Sequence, residues 1–142
     1  VLVSLGNARS KGADAGIQGN LRTIRTQAEV YANNAGGYGG LQGTTTASGT
    51  FCGTVGMWTD PTIRQAVANA AAQGGTPSGS GGLQGSPSDN VVCGSSSGYW
   101  AVGVIMKSNP ENVGCVDSVG RSKIIPFSGI DAIITEPFQG CV

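Results

Sequence analysis

The chain has 142 residues, of which only 11% are charged, and its eight basic and eight acidic side chains give a formal net charge of zero. This length fits one domain with a modest core, and the balanced charge argues neither for a nucleic acid nor for an acidic partner. Glycine is abundant at 25 residues, yet 39% of the chain is hydrophobic. The composition therefore favours a secreted or surface protein with long ordered loops over a disordered chain.

Residues 1–34 are predicted to form one continuous amphipathic helix. Apolar side chains recur at three- and four-residue steps, which is the helical period. The run Asn33-Asn34-Ala35-Gly36-Gly37 is a typical stop signal. At 1.5 Å per residue the helix would measure about 50 Å, more than one small head can cover. Its apolar positions are Leu5, Ala8, Ala13, Ile17, Leu21, Ile24, Ala28 and Tyr31.

Four basic residues of this helix, Arg9, Lys11, Arg22 and Arg25, lie off the apolar stripe, with only Asp14 to balance them up to residue 25. One interpretation is an ordinary solvated helix face. The other is a set of salt bridges with acidic heads of neighbouring subunits. Both interpretations stay open at the level of the sequence.

Residues 35–98 are predicted to be an excursion of glycine-rich loops around a short second helix. Asp60 is a good N-cap, and Pro61 occupies the first helical position, where its missing N–H costs nothing. Gly74 and Gly75 end this helix. Residues 44–46 and 50–52 are compatible with one short strand.

Residues 99–142 change character and predict an antiparallel sheet. β-Branched and aromatic residues indicate strands over 99–107, 113–118 and 121–127, with short turns between them. Strands joined by short turns form a meander. The predicted fold class is α+β: a long N-terminal helix packed on a small antiparallel sheet, with a short second helix and Gly-rich loops.

The four cysteines indicate two disulfides and an oxidising compartment. The chain has no histidine and no Cys-x-x-Cys pair, which argues against a metal site. Three pairings are possible, and we favour the sequential one, Cys52–Cys93 with Cys115–Cys141. In the loop-entropy model these would stabilise by roughly 4 and roughly 3.5 kcal/mol. The alternative is four buried free thiols in a cytosolic protein.

The sequence predicts no enzyme and no cofactor. General acid–base chemistry and catalytic triads mostly use histidine, which is absent. The acidic residues are scattered, and we interpret Asp60 as a helix cap and Asp117 as a solvated strand-end or turn residue. A secreted enzyme that works without histidine is the remaining alternative.

Several segments resemble type IV pilins and the pseudopilins of type II secretion. Residues 1–15 resemble the part of the pilin helix that follows the membrane-type apolar segment. Trp100-Ala101-Val102 and Cys115-Val116-Asp117-Ser118 resemble sheet strands of bacterial pilin-like proteins, in which Trp often precedes that Cys; here Gly114 takes its place. The family's prepilin-peptidase site, with its Phe-Thr-Leu-Ile-Glu segment, does not occur in this chain.

The resemblance implies a single pilin-like domain over 1–142, with a helix stem at 1–34, the excursion at 35–98 and the disulfide-clamped sheet region at 99–142. It implies a structural subunit, pilin or pseudopilin, that forms a homo-oligomer in a helical extracellular filament. An apolar segment before Val1, which looks like a cut end, would anchor the subunit in the inner membrane before assembly. The expected assembly face of the helix would pack partly on the chain's own sheet and partly on neighbouring helices, and it comprises Leu5, Ala13, Ile17, Leu21, Ile24 and Ala28.

The alternative function is a minor tip pilin that acts as an adhesin or as a DNA-uptake module. It would use the loops at 36–57 and 74–98. Arg121 and Lys123 flank a predicted hairpin, but two charges are few, because affinity for DNA grows with the number of phosphates neutralised. We therefore expect no nucleic-acid partner.

Overall fold

A computed structural model describes residues 2–39, 52, 56–76, 90–96, 98–127 and 140–142. The strand predicted over residues 44–46 and 50–52 lies outside these residues, apart from residue 52, which is in a turn. Much of the two loops assigned to the alternative function lies outside them as well.

Helix α1 spans Leu2–Ala35, 34 residues without interruption, as the apolar period predicted. It ends at the predicted stop signal. Gly36 takes a φ of 79°, and the backbone N–H groups of Gly36 and Gly37 donate to the carbonyl of Ala32 at 2.9 and 3.1 Å. Glycine adopts this left-handed conformation without a steric penalty, which is why the helix stops here.

Helix α2 spans Pro61–Gln73 and follows a short 3-10 helix at Gly56–Thr59. The predicted cap is confirmed: Oδ1 of Asp60 accepts hydrogen bonds from the backbone N–H groups of Thr62 and Ile63 at 2.9 and 3.1 Å. These bonds satisfy N–H groups that have no partner within the helix. Gly74 closes the helix by donating to the carbonyl of Ala71.

The sheet has four antiparallel strands in the order β1-β2-β3-β4. They are β1 Val91–Ser95, β2 Trp100–Ile105, β3 Asn112–Asp117 and β4 Ser122–Pro126. The three predicted strands correspond to β2, β3 and β4; β2 and β4 are shorter than expected, and β3 has the expected length but begins one residue earlier. Strand β1 was missed, because its five residues follow a long run of Gly and Ser that gave no alternation of apolar and polar positions.

Both faces of the sheet carry buried side chains. Helices α1 and α2 pack against each other, α1 packs against β3 and α2 packs against β2. The helix-facing side chains join one apolar cluster, and those of the opposite face form a second. Strand β2 is buried along its whole length, which explains its unbroken apolar sequence. The second cluster comprises Val92, Ala101, Ile105, Val113, Cys115, Ile125 and Cys141.

Two disulfides hold the parts together in the sequential pairing that the sequence favoured. Cys52 joins Cys93 of β1, with 5.4 Å between their Cα atoms. Cys115 of β3 joins Cys141, with 5.7 Å between Cα atoms, and so holds the C-terminus against the sheet. No cysteine is free, which indicates an extracellular or otherwise oxidising environment.

Candidate functional site

The helix α1 divides into two parts with different surroundings. Of the six residues expected to form the assembly face, Ile17, Leu21, Ile24 and Ala28 are buried in the chain's own core. Burial of one apolar stripe against a sheet is the usual source of helix stability in a small domain. These four side chains are therefore occupied within the subunit, and they are not available to a neighbour.

The first two turns of α1 are open to solvent. We call residues 2–9 the free segment, because each of its side chains is exposed. Leu2, Val3 and Leu5 are exposed by 85%, 78% and 57%. Ala13, the other expected assembly residue, is half-buried where the helix meets the head. Large apolar side chains grouped on one exposed segment are typical of interaction surfaces.

The four expected salt-bridge residues lie at two separate places on α1. Arg9 and Lys11 are at or just beyond the free segment, whereas Arg22 and Arg25 are farther along, beside the sheet. All four are exposed. Within the described ranges the only salt bridge joins Arg121 to Asp117, so these four cations pair with no described carboxylate.

Asp14 connects α1 to the turn between β2 and β3 through hydrogen bonds. The sequence did not indicate this contact. Its Oδ1 accepts hydrogen bonds from the backbone N–H of Lys107 at 2.6 Å and of Ser108 at 3.2 Å. Its Oδ2 accepts a further hydrogen bond from the Ser108 hydroxyl. Hydrogen bonds to a charged acceptor are stronger than neutral ones. Asp14 thus fixes where the helix leaves the head.

Asp117 is buried, with only 1% of its surface exposed, so the prediction of a solvated residue was wrong. Its Oδ1 accepts from the backbone N–H of Val119 at 3.1 Å and of Arg121 at 2.9 Å. Its Oδ2 accepts from the N–H of Cys141 at 3.0 Å and lies 3.5 Å from the Arg121 guanidinium. This network, the Asp117 clamp, explains how a charged group can be buried.

Gly140 completes the Asp117 clamp. It has a φ of 67°, and a Cβ atom at this position would lie 2.6 Å from Oδ2 of Asp117. Only glycine allows so close an approach in this backbone conformation. The clamp and the Cys115–Cys141 disulfide therefore hold the same segment of chain.

Tyr38 links the end of α1 to the aromatic core. Its hydroxyl donates to Oε1 of Glu29 at 2.9 Å, and its ring packs edge-on against Trp100, with 6.3 Å between ring centroids. Burial raises the pKa of Tyr38 above its ordinary value of 10.0, and the hydrogen bond and negative charge of Glu29 raise it further. Both effects disfavour the charged phenolate.

No protein-family model, curated protein or solved structure matches this chain. The resemblance to pilins and pseudopilins therefore stays a prediction.

The described residues hold no group of three or more His, Cys, Asp or Glu side chains placed to bind a metal ion. The same ranges contain no helix that is long and apolar enough to cross a membrane. What these ranges present instead is a continuous helix with one end built into a disulfide-linked head and the other exposed. Such an arrangement can join subunits, because it leaves an apolar surface that another molecule can cover.

Proposed function

We propose that this chain is a structural subunit of an extracellular filament, of the kind formed by type IV pilins or secretion pseudopilins. The observation that carries the proposal is the free segment of α1. It extends the helix by about 12 Å beyond the part that the head covers, and it exposes Leu2, Val3 and Leu5. In a filament, free segments of neighbouring copies would cover one another.

The clamps at the two ends of the head support this role. Asp14 fixes the direction of α1 relative to the sheet through the β2–β3 turn. The Cys115–Cys141 disulfide and the Asp117 clamp close the C-terminus onto β3. A subunit that repeats along a filament needs the same angle between stem and head in every copy, and the hydrogen bonds of Asp14 favour one angle.

The experiment replaces Leu5 with Glu in the gene of the producing cell and counts surface filaments by electron microscopy. We expect Leu5→Glu to reduce filaments at least about tenfold, because a carboxylate in an apolar contact is left without its water. Immunoblots should show an unchanged amount of subunit, since Leu5 is exposed in the single chain.

The matched control is Val30→Glu, the same kind of change at an exposed apolar residue of α1 outside the free segment. It should leave the filament count unchanged. Normal filaments with Leu5→Glu, or filaments that do not contain this chain, would contradict the proposal.

A further inference from the structure

The two helices pack unevenly on the sheet. Helix α1 lies against β3 and α2 against β2, and neither has an extensive contact with β4. A groove of about 330 Å³ runs between α1 and β4, and Ile124 is 53% exposed beside it. We call it the α1–β4 groove. Its lining includes Leu21, Arg22, Gly114, Ser122, Lys123 and Ile124.

The α1–β4 groove is basic. Arg22 lines it from α1, and none of the described carboxylates does. Lys123 pairs with Cys115 across the strands, so its side chain lies on the face of the sheet opposite α1. Arg25, one turn farther along α1, reaches the β3–β4 turn, where its guanidinium lies 3.4 Å from the position that a Cβ atom would take on Gly120. In the described part of the chain neither arginine has a salt-bridge partner.

The chain's own described carboxylates are largely occupied elsewhere. Asp60 caps α2, Glu29 accepts from Tyr38, and Asp14 and Asp117 form the two clamps. The remaining described acid, Glu111, lies in the turn between β2 and β3 and does not line the groove. Within the described residues, therefore, no carboxylate is placed to neutralise the groove.

We propose that the α1–β4 groove docks an acidic segment of a partner protein, with carboxylates toward Arg22 and Arg25 and an apolar side chain on Ile124. Charge complementarity selects an acidic partner and excludes a basic one. The exposed Ile124 adds an apolar contact that a purely polar ligand would not use. This inference goes beyond the filament role and does not depend on it.

The lining favours a protein segment over a nucleic acid. Proteins that bind single strands stack the bases on aromatic side chains, and no aromatic residue of the described ranges lines the α1–β4 groove. Two arginines also neutralise few phosphates, and phosphate contacts provide most of the affinity for nucleic acids. A second copy of this chain is disfavoured as well, because the free segment beside Arg9 and Lys11 carries the same sign of charge.

The test uses the oxidised chain and a short fluorescent peptide that alternates Glu and Leu, with binding followed by fluorescence anisotropy. We expect saturable binding with a Kd below about 1 mM. Arg22→Glu should weaken it about tenfold, because an attraction becomes a repulsion at a partly exposed site. Ile124→Asp should weaken it to a similar extent.

The matched control is Arg64→Glu, the same charge change on the exposed face of α2, whose residues do not line the groove. It should bind the peptide like the unmodified chain. Absence of saturable binding, or equal weakening by Arg64→Glu, would overturn the proposal. So would tighter binding of single-stranded DNA at Arg22, or a dimer of this chain that Arg22→Glu dissociates.

Discussion

The carboxylate of Asp117 accepts hydrogen bonds from two parts of the chain that are distant in sequence. Three backbone N–H groups donate to it, from Val119, Arg121 and Cys141. Two of them shape the β3–β4 turn, and the third comes from a segment 24 residues farther along. Because each bond to a buried charged acceptor contributes more than a neutral one, this side chain has a large effect on stability for its size.

Asp117→Asn should lower the free energy of unfolding by about 2 kcal/mol, because an amide has one acceptor oxygen where three donors converge. Denaturant unfolding of the oxidised chain measures the change. Glu111→Gln removes an exposed carboxylate and should change the value by less than about 0.5 kcal/mol. Equal effects of the two substitutions would refute the Asp117 clamp.

Because of Tyr38, the free energy of unfolding should fall as the pH rises in the alkaline range. Its pKa is raised by burial and by Glu29, so the unfolded chain loses the phenolic proton first, near pH 10.0. Above that pH the folded state binds more protons than the unfolded state, and stability falls as the pH rises. Tyr38→Phe should remove this component. Unfolding free energies measured on both sides of pH 10.0 should fall more steeply for the unmodified chain; parallel curves would exclude the effect.

At the scale of elements, the two parts of α1 should respond differently to truncation. Ile17→Ala opens a cavity under a fully buried side chain and should cost about 3 kcal/mol of unfolding free energy. Leu5→Ala removes an exposed side chain and should cost less than about 0.5 kcal/mol. Both are measured by denaturant unfolding of the isolated chain. A large loss from Leu5→Ala would show that the free segment is packed within the subunit.

The helices could be predicted because their signals are local. The stop at Gly36, the cap at Asp60 and the buried stripe at Ile17, Leu21, Ile24 and Ala28 each depend on residues within a few positions of one another. The three strands β2, β3 and β4 followed from unbroken β-branched runs and short turns.

The features that were missed depend on contacts between distant residues. Asp14 finds its partners at Lys107 and Ser108, and Asp117 finds one at Cys141; nothing in the neighbouring sequence marks either contact. Strand β1 gains its order from pairing with β2, in which Cys93 faces Val102. The sequence also did not show where the buried part of α1 ends and the free segment begins. Periodicity shows which face of a helix is apolar, but it does not show how far the head extends along that face.

At the scale of the whole molecule, the head is closed by its own contacts, whereas the free segment is exposed. Two disulfides and two carboxylate clamps close the head on itself. The free segment contributes little to that closure and exposes most of its apolar surface. In the proposed filament, sister copies would supply the missing contacts, and the free segment would be buried only after assembly.

The most direct test of this central claim is photocrosslinking from position 5 in the producing cell. A photoreactive phenylalanine in place of Leu5 should join copies of this chain to one another in the filament fraction, identified by mass spectrometry. The same variant, purified and dilute, should give no such product. Crosslinks from position 5 only to unrelated proteins, or none in assembled material, would contradict the account.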